Sequence, residues 1–216
     1  MNKTDLKLYA ITDRQWLHGA SLSEHVKLAI EGGATMIQIR DKDILSTDSD
    51  AGLKDEYNEA LEIKRICHEH RVPLIINDNV QFAIDIAADG VHLGQDDMNP
   101  AEARKLLGTD KIIGVTAKTV EQAKKAQADG ADYLGSGAVF GSTTKLNAKP
   151  MTKELLSEIT AAVDIPVVAI GGINADNAST LKGTGIAGIA VVGAIFASED
   201  IKAAAKALAE ICDNML

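Results

Sequence analysis

Met36-Ile37-Gln38-Ile39-Arg40-Asp41-Lys42 reads as one strand with two unlike faces. Side chains alternate along a strand, so Met36, Gln38 and Arg40 share one face and Ile37 and Ile39 the other. The isoleucine face reads as packed against helices. The opposite face carries a carboxamide and a guanidinium, with the Lys42 ammonium just past the strand's end. Burying such groups costs free energy unless something polar or anionic meets them, which makes this strand end a candidate anion site.

The same unit recurs on both sides of this strand. A short apolar run, then a polar or glycine-rich loop, then an amphipathic helix appears eight times. The strand readings are 7–11, 36–40, 73–77, 90–93, 112–115, 133–136, 167–170 and 189–192. The helix readings are 21–31, 55–70, 80–87, 100–107, 120–128, 152–162, 177–181 and 201–212. Gly32-Gly33, Ala88-Asp89-Gly90, Asp129-Gly130 and Gly183-Thr184-Gly185 supply helix-ending turns. Eight strand–helix units with right-handed crossovers predict an α/β fold, a parallel (β/α)8 TIM barrel formed as one domain over 1–216. A doubly wound open sheet is the rival, but no G-x-G-x-x-G opens the first unit.

The chain has 216 residues and a net charge of −9, which argues against nucleic-acid or anionic-membrane partners. No apolar run approaches the roughly 20 residues that span a bilayer, and no address segment is legible. The expectation is a cytoplasmic protein acting on small molecules. Apolar helical faces leave room for a homodimer. Cys67 and Cys212 read as ordinary reduced thiols.

A barrel places its chemistry at the carboxyl ends of its strands. Those positions hold Thr12-Asp13-Arg14, Arg40-Asp41-Lys42, Asn77-Asp78-Asn79, Gly94-Gln95-Asp96-Asp97, Thr116, Gly141-Ser142-Thr143-Thr144-Lys145, Gly171-Gly172 and Gly193-Ala194. Arg40, Lys42 and Lys145 form a cationic set suited to phosphoryl oxygens, or else three solvated surface charges. Asp78 and Asp97 would repel an anion unless a divalent cation lies between, which suggests a Mg²⁺–pyrophosphate site. The alternative is that both carboxylates cap the helices that follow. Glycines after the seventh and eighth strands fit a backbone phosphate site. The hydroxyl-rich loop at 141–145 reads as a closing lid or as a plain polar loop. His92 alternates with Val91 and Leu93 and reads as a satisfied core histidine rather than a base.

With these residues assembled, the chain resembles the thiamine phosphate synthase family. Gln38-Ile39-Arg40-Asp41-Lys42, Ile76-Asn77-Asp78, Gly90-Val91-His92-Leu93-Gly94-Gln95-Asp96-Asp97, Ile113-Gly114-Val115-Thr116, Thr144-Lys145 and Ile170-Gly171-Gly172-Ile173 carry the resemblance. It implies that 4-amino-2-methyl-5-hydroxymethylpyrimidine diphosphate condenses with a thiazole monophosphate, giving thiamine phosphate and pyrophosphate. It further implies that Gln38, Arg40, Lys42, Asn77, Thr116 and Lys145 hold the pyrimidine diphosphate. Asp78 and Asp97 match its Mg²⁺ ligands, and Arg40, Lys42 and Lys145 stabilise the leaving group. Ser142, Thr143, Thr144, Gly172, Val192 and Gly193 match its thiazole-phosphate contacts. Thr116 stands where many members have Ser, Lys118 where His is frequent, and Gly141-Ser142-Thr143-Thr144-Lys145 where P-T-x-T-K is usual. A thiazole tautomerase-type isomerase on the same barrel is an alternative, but it needs neither metal nor pyrophosphate. A noncatalytic phosphate-ligand sensor is another.

Overall fold

Eight short apolar segments pair in chain order and close on themselves. The computed structural model describes residues 1–40, 50–141 and 150–216, with the side chains of 50–53 left aside. Its strands are β1 (Leu8–Ile11), β2 (Met36–Ile39), β3 (Leu74–Asn77), β4 (Gly90–Leu93), β5 (Ile112–Thr116), β6 (Tyr133–Gly137), β7 (Val167–Ile170) and β8 (Gly188–Val191). Every neighbour pair is parallel, and β8 returns to β1 with Leu8 opposite Ile189 and Ala10 opposite Val191. The sheet is therefore a closed (β/α)8 barrel, and the open doubly wound alternative is excluded.

Alternation sorts the residues as the sequence predicts. Leu8, Ala10, Ile37, Ile39, Leu74, Ile76, Val91 and Leu93 lie in the large cluster that joins strands to helices. Tyr9, Met36, Ile75, Ile112, Tyr133 and Val168 pack in a second cluster inside the barrel. A fully buried Ile or Leu is worth roughly 1.5–3 kcal/mol, so these two layers hold the fold and leave the strand ends free for polar groups.

The outer ring comprises α1 (Leu22–Glu31), α2 (Asp50–His70), α3 (Val80–Asp85), α4 (Pro100–Leu107), α5 (Val120–Ala128), α6 (Lys153–Ala161) and α8 (Ile201–Met215), with a short α7 (Gly193–Phe196) after β8. Ser21 caps α1, accepting from Glu24 N while Glu24 reaches back to Ser21 N. The helix expected over 177–181 is instead a 3-10 turn, Ala178–Leu181. Thr180 and Thr184 hydroxyls each donate 2.7 Å to nearby carbonyls, of Asn177 and Leu181, competing with helix propagation. Helix α3 also stops short, at Asp85. The left-handed residue that turns it is Ala87 (φ 51°), not Gly90. Gly90 is needed for space: a Cβ there would sit 2.1 Å from the Ile112 carbonyl oxygen. Among the described residues, no helix is long and apolar enough to cross a membrane.

Candidate active site

A cavity of about 560 Å³ opens at the carboxyl-terminal mouth of the barrel. Gln38, Arg40, Asn77, Thr116, Gly172, Val192 and Gly193 all line it, so five different strands deliver residues to one space. Lys42, Ser142, Thr143, Thr144 and Lys145 lie outside the described residues. A larger groove of about 680 Å³ runs between Trp16, α1 and the start of α8. It carries none of the strand-end polar residues, so the chemistry belongs to the smaller cavity.

Arg40 leaves β2 with its backbone fixed: its N–H donates 3.1 Å to the hydroxyl of the buried Thr12. Its guanidinium stands 3.9 Å from an Asp13 carboxylate oxygen, too far for a hydrogen bond. Asp13 itself caps the turn Arg14–Trp16. The guanidinium fork thus keeps donors for a ligand.

The two aspartates are not helix caps. Asn79 caps α3, its side chain accepting from Phe82 N at 2.9 Å, and Asn99 caps α4, accepting from Ala101 N at 2.9 Å. Each neighbouring asparagine does the capping and frees an aspartate for the mouth. Asp97 accepts from Gly94 N at 2.6 Å, and Asp78 accepts from the Asn77 side-chain amide at 2.6 Å. The carboxyls of Asp78 and Asp97 meet. Crowding of its carboxyl away from water, then the hydrogen bond and negative charge of Asp97, push Asp78 up to about 6, while Asn77 and Arg40 pull the other way. Asp78 also takes a left-handed φ of 61°, an unfavourable conformation for a residue with a side chain. A like-charged pair held together beside an arginine fits a divalent cation. Among the described residues, no group of three or more His, Cys, Asp or Glu could hold a metal, so such an ion would rely on two carboxylates.

Beneath the mouth lies a row of polar side chains that sequence reasoning missed. Gln38 Nε2 donates to the Tyr9 hydroxyl at 2.5 Å, and the Tyr9 and Tyr133 hydroxyls are 2.9 Å apart. His92 Nδ1 lies 3.0 Å from the Tyr133 hydroxyl, and His92 Nε2 lies 3.0 Å from Thr116 Oγ1. Burial lowers His92 to about 4 and keeps the ring neutral. It is a satisfied histidine, as the sequence suggested, though it lines the cavity. The signal for the tyrosines was glycine within strands, which marks close approach. A Cβ at Gly114 would lie 2.1 Å from the Tyr133 ring, and one at Gly135 would lie 3.1 Å from His92 Cε1.

On the far wall, Gly171 and Gly172 adopt φ of 102° and 66°, as expected of a turn built for glycine. A Cβ at Gly172 would meet the Phe140 carbonyl oxygen at 2.7 Å. Asn177 donates to the Gly172 carbonyl at 2.9 Å and holds this turn in place. Gly193 is the first residue of α7 and is not left-handed.

Known proteins match this arrangement along nearly the whole chain. The sequence profile described as thiamine monophosphate synthase matches residues 8–195. A thiamine-phosphate synthase from Ruminiclostridium cellulolyticum is 48% identical over 213 residues, covering 99% of this chain and 98% of that protein. One from Clostridium novyi is 48% identical over 206 residues, covering 95% and 98%. The solved thiamine phosphate pyrophosphorylase from Pyrococcus furiosus superposes with a TM-score of 0.87 at 37% identity, covering 99% of this chain and 98% of its own.

Proposed function

The chain belongs to the thiamine monophosphate synthase family, and on that premise we propose how its mouth divides the work. The activity is that of a transferase: it joins 4-amino-2-methyl-5-hydroxymethylpyrimidine diphosphate to a thiazole monophosphate and releases pyrophosphate.

In this reading Arg40 and the carboxylates Asp78 and Asp97 form the leaving-group side, together with Lys42 and Lys145. Gln38, Asn77 and Thr116 hold the rest of the pyrimidine diphosphate. Gly172, Val192 and Gly193 take the thiazole phosphate, and the resemblance assigns Ser142, Thr143 and Thr144 to the same substrate. The observation that carries the reading is the Asp78–Asp97 contact beside Arg40. With capping passed to Asn79 and Asn99, these two like-charged carboxylates crowd together. Asp78 and Asp97 would hold Mg²⁺ there, and the ion would supply positive charge against the pyrophosphate.

The chemistry asks little proton transfer of the protein. The aminopyrimidine feeds electron density to its methylene as the C–O bond breaks, and negative charge gathers on the departing pyrophosphate. Arg40, Lys42 and Lys145 stabilise that charge as it develops. The thiazole nitrogen lone pair then forms the new C–N bond without losing a proton. Neutral His92, engaged on both ring nitrogens, accords with a site that needs no general base. Holding both substrates in one cavity supplies proximity. Small phosphorylated substrates support a cytoplasmic setting for this activity.

Asp97→Ala tests the assignment. Pyrophosphate release at limiting Mg²⁺ should fall by on the order of a hundredfold or more, and EDTA should abolish it in the unaltered protein. Near-normal turnover of the variant would refute the metal role of Asp97.

A further inference from the structure

The row Gln38–Tyr9–Tyr133–His92–Thr116 has a direction. Each hydroxyl has one proton to give, and a neutral imidazole has one N–H and one lone-pair nitrogen. Gln38 Nε2 donates to the Tyr9 oxygen. The Tyr9 proton then goes to its other neighbour, Tyr133, at 2.9 Å. Tyr133 in turn donates to His92 Nδ1, 3.0 Å away. That fixes the imidazole proton on Nε2, which donates to Thr116 Oγ1 at 3.0 Å. Thr116 is left with its own proton to give to the cavity, and Gln38 with its carbonyl oxygen and its second amide N–H free. The backbone of Thr116 is pinned separately by Gln95 Nε2, which donates 2.6 Å to its carbonyl.

We propose that Tyr9, Tyr133 and His92 are positioning residues, a one-way hydrogen-bond relay that sets the cavity's polarity. The relay leaves the Gln38 carbonyl oxygen available as an acceptor and the Thr116 hydroxyl as a donor, so the site selects a heterocycle with an N–H edge opposite a lone-pair edge. A 4-aminopyrimidine has that pattern: the amine at C4 donates, and N1, across the ring, accepts. The reversed order would spend the Thr116 proton on His92 and turn the Gln38 amide N–H groups toward the amine, donor against donor. Tyr9 and Tyr133 are fully buried, and Gly114 gives up its side chain so that the Tyr133 hydroxyl can stand in line. Space is therefore made for a polar contact in the middle of an apolar barrel. The inference rests on the synthase reading and extends it to ligand discrimination.

The test compares affinities with Mg²⁺ present and thiazole absent, by titration calorimetry. The ligands are the aminopyrimidine diphosphate, the analogue with hydrogen in place of the 4-amine, and pyrophosphate alone. A site built to hydrogen-bond an N–H group penalises a ligand lacking it, and the unaltered protein should prefer the amine about a hundredfold. Tyr133→Phe and His92→Leu should cut that preference below about tenfold and leave pyrophosphate affinity within about twofold. His92→Gln, which keeps an acceptor and a donor on one side chain, should restore most of the preference. A merely structural role would weaken all three ligands together. An unchanged preference in Tyr133→Phe, with pyrophosphate still bound, overturns the relay alone. An unaltered protein that binds none of the three overturns the synthase reading with it.

Discussion

Asp78 gathers several constraints into one residue: a left-handed backbone, a contact with Asp97, and a proton affinity raised to about 6 from 3.8. A carboxyl whose folded value exceeds its unfolded value makes the metal-free protein less stable as pH rises between these two values. His92 has the opposite effect. Lowered from 6.5 to about 4, it makes stability fall as pH drops through that interval, by up to about 3 kcal/mol. A cation at Asp78 competes with the proton and removes the first penalty. Added Mg²⁺ should therefore raise the melting temperature clearly at pH 7 and little at pH 5, and an equal rise at both would sink the Asp78 assignment. Arg40→Lys should lower kcat/KM by about tenfold or more, because a point charge does not replace the two-pronged fork; an unchanged value would show that charge alone suffices. The aspartates were legible because each stands next to or near a better capping residue: Asn79 beside Asp78, Asn99 two beyond Asp97. The tyrosines were not, because Tyr9 within Leu8-Tyr9-Ala10-Ile11 looks like any aromatic core residue. Only the hollow at Gly114, on another strand, shows what its partner Tyr133 reaches for.

Elements were read best where start signals are local. Ser21 and Glu24 mark the head of α1, and Pro100 after Asn99 marks that of α4. Ser21→Ala should cost about 1 kcal/mol, or about 2–4 °C in melting temperature for a chain of this size, with kcat untouched. A changed kcat would tie α1 to the site in a way the structure does not. Ends were harder. The segment after β7 has the composition of a helix start, but its threonines bond back to the backbone within a turn. Nothing in the sequence alone ranks that competition. Gly114→Ala belongs at this scale too. Its methyl meets the Tyr133 ring at 2.1 Å, so either β5 or the ring must move. The variant should unfold at lower denaturant and bind the aminopyrimidine poorly; wild-type stability and affinity together would show that the barrel has slack there.

At the scale of the whole molecule, the count of eight units predicted the barrel, because each is a short apolar strand, buried on both faces, followed by an outer segment that packs against it. Closure itself was not written locally. It depends on the register between the first and last strands, 180 residues apart, where Leu8 lies opposite Ile189. Both cysteines report on that closure. Cys67 and Cys212 are buried, and burial pushes their thiols up to about 12 and about 11. Neither should react with a thiol reagent in the native state, and labelling should follow global unfolding; fast labelling of the native protein would mean that α2 or α8 opens by itself. The strand-end hollow carries a last implication. Its Gly135 and Gly137 stand on β6 where other barrels stack bulky aliphatics, and Gly171 and Gly172 turn the chain just past β7. The interior is thus missing its top tier, and a guest completes the stack. Substrates should harden the entire scaffold against heat and proteases, so starvation for either precursor would shorten the lifetime of the catalyst that consumes it.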